Sequence, residues 1–232
     1  MEYSYKFRMY PNSQQIGLIQ RTFGCCRFVY NYYLSERKTR YAANGETMNY
    51  VACATDMTKL KKALPWLSEV DATALQSSLR DLDTAYKNFF RHIKQGCKPG
   101  YPHYKSKRDN HKSYKSKCVG TNIRIIDRKH IQLPKLGSVR CAISKDICGR
   151  ILSATVSQNP SGKYYIALCC TDVDICKLPD TGAAAGVDLG IKDLAITSDG
   201  DKYANNKHIY KSEARLKRLQ RTLSRKSKGS SN

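Results

Sequence analysis

Acidic residues are scarce. Asp and Glu number 19 against 41 Lys and Arg in 232 residues, a formal charge of +22. That deficit excludes a self-neutralising surface, and a field of this sign and size favours a polyanionic partner. Long apolar runs are also missing, and no lipidation motif accompanies the basic residues, so no membrane role is expected. The opening Met1-Glu2-Tyr3-Ser4-Tyr5-Lys6-Phe7 alternates and lacks the apolar core of a signal peptide, which predicts a cytoplasmic, nucleoid-associated protein. No C-x-x-C pair occurs among the 10 cysteines. Cys25-Cys26 and Cys169-Cys170 are adjacent, and Cys53, Cys97, Cys118, Cys141, Cys148 and Cys176 are scattered. A zinc site is therefore not expected, and free buried thiols in a reducing compartment are.

What is present reads as α+β. Tyr3, Tyr5, Phe7 and Met9 alternate with polar residues over 3–9, the pattern of a half-buried strand. Pro11-Asn12-Ser13 ends it and offers a helix cap. Ile16, Ile19, Phe23, Cys26, Tyr30 and Leu34 then fall at helical spacing, which predicts one long helix to about Tyr41 with a kink near Gly24. A second helix is expected over Thr55–Leu64, closed by Pro65. A third follows Asp71, with Leu75, Leu79, Leu82, Tyr86 and Phe89 on one face. Short β runs follow from Asn122 to Cys170, separated by turn signals such as Pro134-Lys135-Leu136-Gly137 and Asn159-Pro160-Ser161-Gly162. Their even spacing predicts a small antiparallel β-barrel. If the N-terminal strand joins it, the helices are an insertion. The expected organisation is a first barrel strand (1–11), an inserted helix-turn-helix-like bundle (12–95), a basic loop with the rest of the barrel (96–178), and a further region (183–232) after a linker over Lys177–Ala184.

Residues 96–117 read as a Gly/Pro-punctuated basic loop. Between Lys87 and Lys117 there are ten Lys/Arg and one acid, interleaved with Phe89, Phe90, Tyr101, Tyr104 and Tyr114. Cations meet phosphates while rings stack on bases. The candidate phosphate contacts are Lys87, Arg91, Lys94, Lys98, Lys105, Lys107, Arg108 and Lys112, with Tyr101 and Tyr104 at the loop. Gln76, Ser77 and Arg80 are candidates to face DNA from the third helix. A basic helix is expected over Ser212–Lys228, where Arg215 and Arg218 add two more candidates.

The segment Ala185-Gly186-Val187-Asp188-Leu189-Gly190-Ile191-Lys192-Asp193-Leu194-Ala195 opens a strand expected over Gly186–Thr197 and reads as buried around the carboxylate of Asp188. A buried Asp188 is costly unless a cation holds it. A two-metal hydrolytic site needs several such carboxylates. Ser198-Asp199-Gly200 is the turn to a second strand over Asp201–Ala204.

Several segments together resemble the transposon-encoded TnpB (OrfB) proteins. They are Tyr5-Lys6-Phe7-Arg8-Met9-Tyr10-Pro11 and Phe23-Gly24-Cys25-Cys26-Arg27-Phe28-Val29-Tyr30-Asn31, then Leu82–Phe90 running into Lys98–Lys107, Ile131–Gly137, and the Asp188 segment through Gly200. They cover nearly the whole chain in order. The resemblance implies relatedness to type V CRISPR effectors, a guide RNA from the transposon end, and pairing with target DNA. It implies a β-barrel with an inserted helical bundle that grips RNA, followed by a RuvC-type nuclease domain of RNase H-like fold that cuts with Mg²⁺. Asp188 matches the first catalytic Asp.

The family's catalytic Glu, zinc-binding cysteine pairs and last Asp lie farther along than residue 232. Asp193, Asp199 and Glu213 do not sit in their motif contexts. The expectation is an incomplete RuvC-like region in a chain that binds RNA and DNA without cutting, unless a second polypeptide completes it. The other readings are a nuclease-dead RNA-guided repressor, a fragment of an active metal-dependent nuclease, and an unrelated basic RNA-binding barrel of the ribosome-associated kind.

Overall fold

Alternation at the N-terminus does build a strand. In a computed structural model that describes residues 1–98, 100–109, 112–174, 179 and 181–227, β1 runs Tyr3–Tyr10 and buries Tyr5, Phe7 and Met9 on one face. Asn12 then caps α1 (Ser13–Asn44): its side chain accepts from the Gln15 amide at 2.8 Å while the Gln15 side chain accepts from the Asn12 amide at 3.0 Å, a reciprocal capping box. The helix ends at Gly45, whose φ of 66° suits glycine. It is one unbroken helix across Gly24. Its buried residues exceed the expected stripe, because Thr22, Cys25, Val29 and Tyr33 join Ile19, Phe23, Cys26, Tyr30 and Leu34. The cause is contact with both α3 and the sheet.

α2 (Tyr50–Ala63) starts five residues earlier than expected, at the Asn49 cap. A short 3-10 turn at Pro65–Ser68 leads to α3 (Ala72–Lys94), capped by Asp71. The strands that follow are β2 (Lys112–Lys117), β3 (Arg124–Asp127), β4 (His130–Leu133), β5 (Gly137–Ala142), β6 (Arg150–Gln158) and β7 (Tyr164–Thr171). They join β1 in one sheet ordered β2-β6-β7-β1-β5-β4-β3, antiparallel throughout.

This sheet is not the closed barrel expected from strand spacing. Flat, its outer strands would lie about 29 Å apart. The link from Lys117 to Arg124 reaches about 24 Å at most, so the sheet curls. Its edges do not pair among the described residues. The outer edge of β2 is occupied: the Lys117 amide donates to the Thr73 hydroxyl of α3 at 3.1 Å. β3 is exposed on both faces and so has no inward face to draw it across. β2 itself corrects the reading of 96–117 as a loop. Tyr114 and Ser116 point inward and the lysines mask the alternation.

Helices and sheet share one core, from Ile19, Val29, Leu75 and Leu82 to Ile131, Val139, Ile166 and Leu168. Asp71 is the joint. Its carboxylate accepts from the Thr73 amide (3.1 Å) and hydroxyl (2.6 Å), and from the buried Ser116 hydroxyl of β2 (2.6 Å). Cys25, Cys26, Cys53, Cys141 and Cys170 are buried as expected, whereas Cys97 and Cys148 are exposed; burial raises Cys141 to about 11 and Cys26 to about 12, so both stay protonated.

A second compact unit begins at residue 176. The linker expected over 177–184 falls partly outside the described residues. The strand expected from 186 to 197 is instead a hairpin, β8 (Val187–Asp188) and β9 (Asp193–Thr197), with β10 (Lys202–Ala204) beyond β9. Two local contacts mark the break between β8 and β9. The Asn205 side chain donates to the Ile191 carbonyl at 3.0 Å. Gly190 lies so close to the Asp193 carbonyl that a Cβ would come within 3.1 Å of it. α4 (His208–Ser224) follows. Leu189 is 76% exposed and Ile191 83%, so the strand is not buried as expected.

Replacing Asp71 with Ala removes a helix cap and strands the Ser116 hydroxyl, and should cost about 2–4 kcal/mol. Ser116→Ala should cost less, about 1 kcal/mol. Denaturant unfolding of both single variants and the double variant would measure this. Additive losses would show that the two groups are not coupled.

Candidate nucleic-acid interface

The loop over 100–109 lies against α1 and α3, and named contacts fix it there. The Asn31 side chain accepts from the Lys105 amide at 2.8 Å and donates to the Lys105 carbonyl at 2.9 Å. Both backbone groups of one loop residue are thereby satisfied, as one strand would satisfy another. The Tyr101 hydroxyl lies 2.9 Å from that of Tyr86, and the Tyr101 ring meets the edges of Tyr86 and Phe89. Burial, and then this hydrogen bond, hold the Tyr86 phenol above its usual range, so it remains protonated.

Cations thread these rings. Lys38 stands 4.8 Å from both the Tyr101 and Tyr104 rings, and Lys105 stands 4.3 Å from Tyr30. Arg37 lies 4.1 Å from the Tyr86 ring and 3.7 Å from Asp83, which also binds Lys87 at 2.9 Å. Arg27, Lys105, Ser106 and Lys112 line a small cavity of about 130 Å³ beside the loop. The Asp81 side chain reaches solvent, yet protein around its carboxyl raises its pKa, and the charges of Lys105 and Lys115 oppose that rise.

The sequence-assigned residues separate accordingly. Arg91, Lys94, Lys98, Lys107 and Arg108 are exposed and free to meet phosphates. Lys87 is exposed but paired, and Lys105 is tied by its backbone with its ammonium over a ring. Tyr101 is a fastener, because its hydroxyl bonds that of Tyr86 and its ring packs against Tyr86 and Phe89. Tyr104 keeps an open face at 52% exposure. On α3, Gln76 and Arg80 are exposed, Arg80 lying 4.5 Å from the Tyr50 ring. Ser77 is buried and donates to the Thr73 carbonyl, so it does not face a ligand. Arg215 and Arg218 are exposed on α4 in the second unit. Sequence reasoning missed Asn31, Lys38 and Arg27. Their helical spacing marks them as surface residues, but no periodicity tells which loop lands on them.

Asp188 is exposed on β8, opposite Ile196. Asp193 lies three residues away along β9, about 10 Å by strand rise. Glu213 is occupied by Lys217 at 2.6 Å. Among the described residues no group of three or more His, Cys, Asp or Glu stands close enough to hold a metal ion. The donor set present does not fit a two-metal site.

Two family models match this chain. One, described as a helix-turn-helix domain of OrfB from IS605 elements, covers residues 1–46. The other, described as "Probable transposase", covers residues 167–232. A Streptomyces pristinaespiralis protein named "Putative RNA-guided DNA endonuclease" is 34% identical over 99% of this chain and 56% of its own length. The Escherichia coli K12 protein named "Putative RNA-guided DNA endonuclease InsQ" is 32% identical over 99% of this chain and 55% of its own.

The chain belongs to the TnpB/OrfB family.

A solved Cas12f1–sgRNA–target DNA complex is a more remote neighbour. It is 17% identical with a TM-score of 0.38, over 97% of this chain and 62% of that one. This TnpB/OrfB chain spans about half the length of the two curated relatives, 56% and 55%. The residues of the first family model form β1 and α1, with α2 and α3 following. No helix among the described residues is long and apolar enough to cross a membrane.

Asn31→Ala should release the loop without unfolding the core. Hydrogen exchange should then show lost protection at the Lys105 amide and unchanged protection in β6 and β7. Equal protection at Lys105 in both proteins would refute the tether.

Proposed function

We propose that this chain binds a guide RNA from the transposon end and the DNA that the guide pairs with. The observation that carries the reading is the fastened loop. Asn31, Tyr86 and Phe89 hold it on the helices, which supports a pre-ordered surface that carries the exposed Lys107 and Arg108 on the loop and the exposed Arg91 and Lys94 at the end of α3. Cations already positioned lose little freedom when phosphates arrive, and releasing the counterions of the nucleic acid drives association. Such a surface recognises the backbone of a heteroduplex, while base pairing supplies sequence. The names of the two long relatives and the transposase model support the same reading.

RNA-guided DNA cleavage is the family activity we assign to the complete assembly. Asp188 is then the first ligand of a Mg²⁺ site, with the other carboxylates supplied by further residues of a longer chain or by a second polypeptide. The exposed aliphatic residues of the second unit (Val187, Leu189, Ile191, Leu194, Leu216, Leu219 and Leu223) support this, since surfaces of that kind are normally covered.

Affinity of residues 1–232 for guide RNA should fall steeply with salt, with a log–log slope of about 0.7–0.9 per phosphate contact. Neutralising Arg91, Lys107 and Arg108 together should reduce that slope by about 2–3. An unchanged slope would remove the loop from the interface.

Residues 1–232 with Mg²⁺ and guide RNA should leave target DNA uncut, and Asp188→Ala should leave affinity unaltered. DNA cutting that Asp188→Ala abolishes would overturn the assignment of the other ligands to residues outside this chain.

A further inference from the structure

The outward face of the large sheet carries a second basic surface, separate from the loop. β1 places Lys6, Arg8 and Tyr10 on the side opposite its buried Tyr5, Phe7 and Met9. Tyr165 of β7 pairs in register with Arg8, and Arg140 of β5 pairs in register with Tyr10. The side chains alternate across the three strands as cation, ring, cation, ring, cation. Lys6 lies 5.1 Å from the Tyr165 ring, Arg8 5.3 Å from Tyr165 and 5.4 Å from Tyr10, and Arg140 5.5 Å from Tyr10. At the Tyr10 end, Arg128, Lys129, Arg140, Ile143 and Ser144 border an open groove of about 440 Å³.

Three features set this face apart from an ordinary solvated one. No ion pair reaches Lys6, Arg8 or Arg140 among the described residues. Like charges on neighbouring strands repel, so the arrangement is under electrostatic strain that an anion would relieve. Among the described residues the Arg8 Nε is buried with no hydrogen-bond partner and its Nη1 donates only to the Tyr165 hydroxyl, at 3.5 Å, which leaves that guanidinium short of acceptors. Tyr10 is 49% exposed although two guanidinium groups lie over its ring, so part of the ring is open to solvent in an electropositive strip.

We infer that this face binds a single-stranded nucleic-acid segment, with an unpaired base stacked on Tyr10 and flanking phosphates at Arg8, Arg140 and Lys6. Alternating rings and cations are what sequence-tolerant single-strand binding requires, because every base has a π-face and every linkage a charge. A duplex could offer only its phosphates here, since its bases are stacked away from Tyr10. The inference rests on the chain being a nucleic-acid binder but concerns a different surface from the fastened loop.

The test uses the full 232-residue chain and two labelled probes, an oligo(U) ribonucleotide and an oligo(dT) deoxyribonucleotide, read by fluorescence anisotropy. Lys6 and Arg140 are exposed, so the K6E/R140E variant should keep its near-ultraviolet dichroism. It should bind at least one probe about tenfold or more weakly, and Tyr10→Ala should weaken the same probe with less change in salt slope. Loss confined to oligo(U) identifies RNA as the ligand, and loss with both identifies either strand. Photocrosslinking of the unaltered protein should label the peptides that contain Tyr10 or Tyr165. Affinities within twofold of the parent for both probes, or crosslinks confined to 100–117, would overturn the assignment to this face while leaving the loop reading intact. Failure of the parent chain to bind any RNA or DNA would instead remove the proposed function itself.

Discussion

One carboxylate couples the helical and β parts of the first unit. Asp71 caps α3 through Oδ1 and, through Oδ2, accepts the hydroxyls of Thr73 and of Ser116 from β2. The helix start is thereby fixed against the sheet edge, and Thr73 in turn satisfies the Lys117 amide. A buried acid is tolerable only when its lone pairs are filled, and here three donors fill them. Because the α3 N-terminus occupies that edge, β2 is protected from pairing elsewhere, and the sheet stays curled but open.

The position of α3 determines where the basic surface lies. Its C-terminal half carries Tyr86 and Phe89, the groups on which the loop is fastened, and Asp83, which orders Arg37 and Lys87. In a chain with 41 cations the useful question is which are held and which are free. The held ones, Arg37, Lys38 and Lys105, sit on rings or acids and shape the surface. The free ones on the loop and helix end are available to phosphates. Mutual repulsion in so basic a molecule is reduced by this division, since the held cations are partly compensated by ring faces.

The elements with a clear period were legible in the sequence. β1 showed its alternation, the Asn12 cap preceded a helical stripe, and Asp71 preceded another. β2 was hidden because lysine dominates its composition and the decisive partner of Ser116 lies 45 residues away. The barrel expectation failed for a similar reason: strand spacing reports the number of strands, while edge pairing depends on what covers the edge. Ser77 and Tyr101 were read as available polar and aromatic groups, but their hydroxyls are used internally. Family membership was legible from ordered motifs. The alternating strip on the sheet was not, because Lys6, Tyr10, Arg140 and Tyr165 come from three distant segments and only register brings them together.

Asp188 shows how a signature and its chemistry can be separated. In a buried strand it would demand a cation, because desolvation of an unpaired carboxylate is prohibitive. Here it is exposed, keeps its water, and experiences no such demand. The exposed Leu189 and Ile191 beside it are the residues whose burial would change that. In the assembly proposed above, covering those side chains removes water from the carboxylate at the same time, so cover and cation favour each other. Under that proposal, metal affinity at Asp188 would depend on completing the apolar packing around β8 as well as on further ligands. The hydrophobic residues of the second unit would govern the site as strongly as the acid itself.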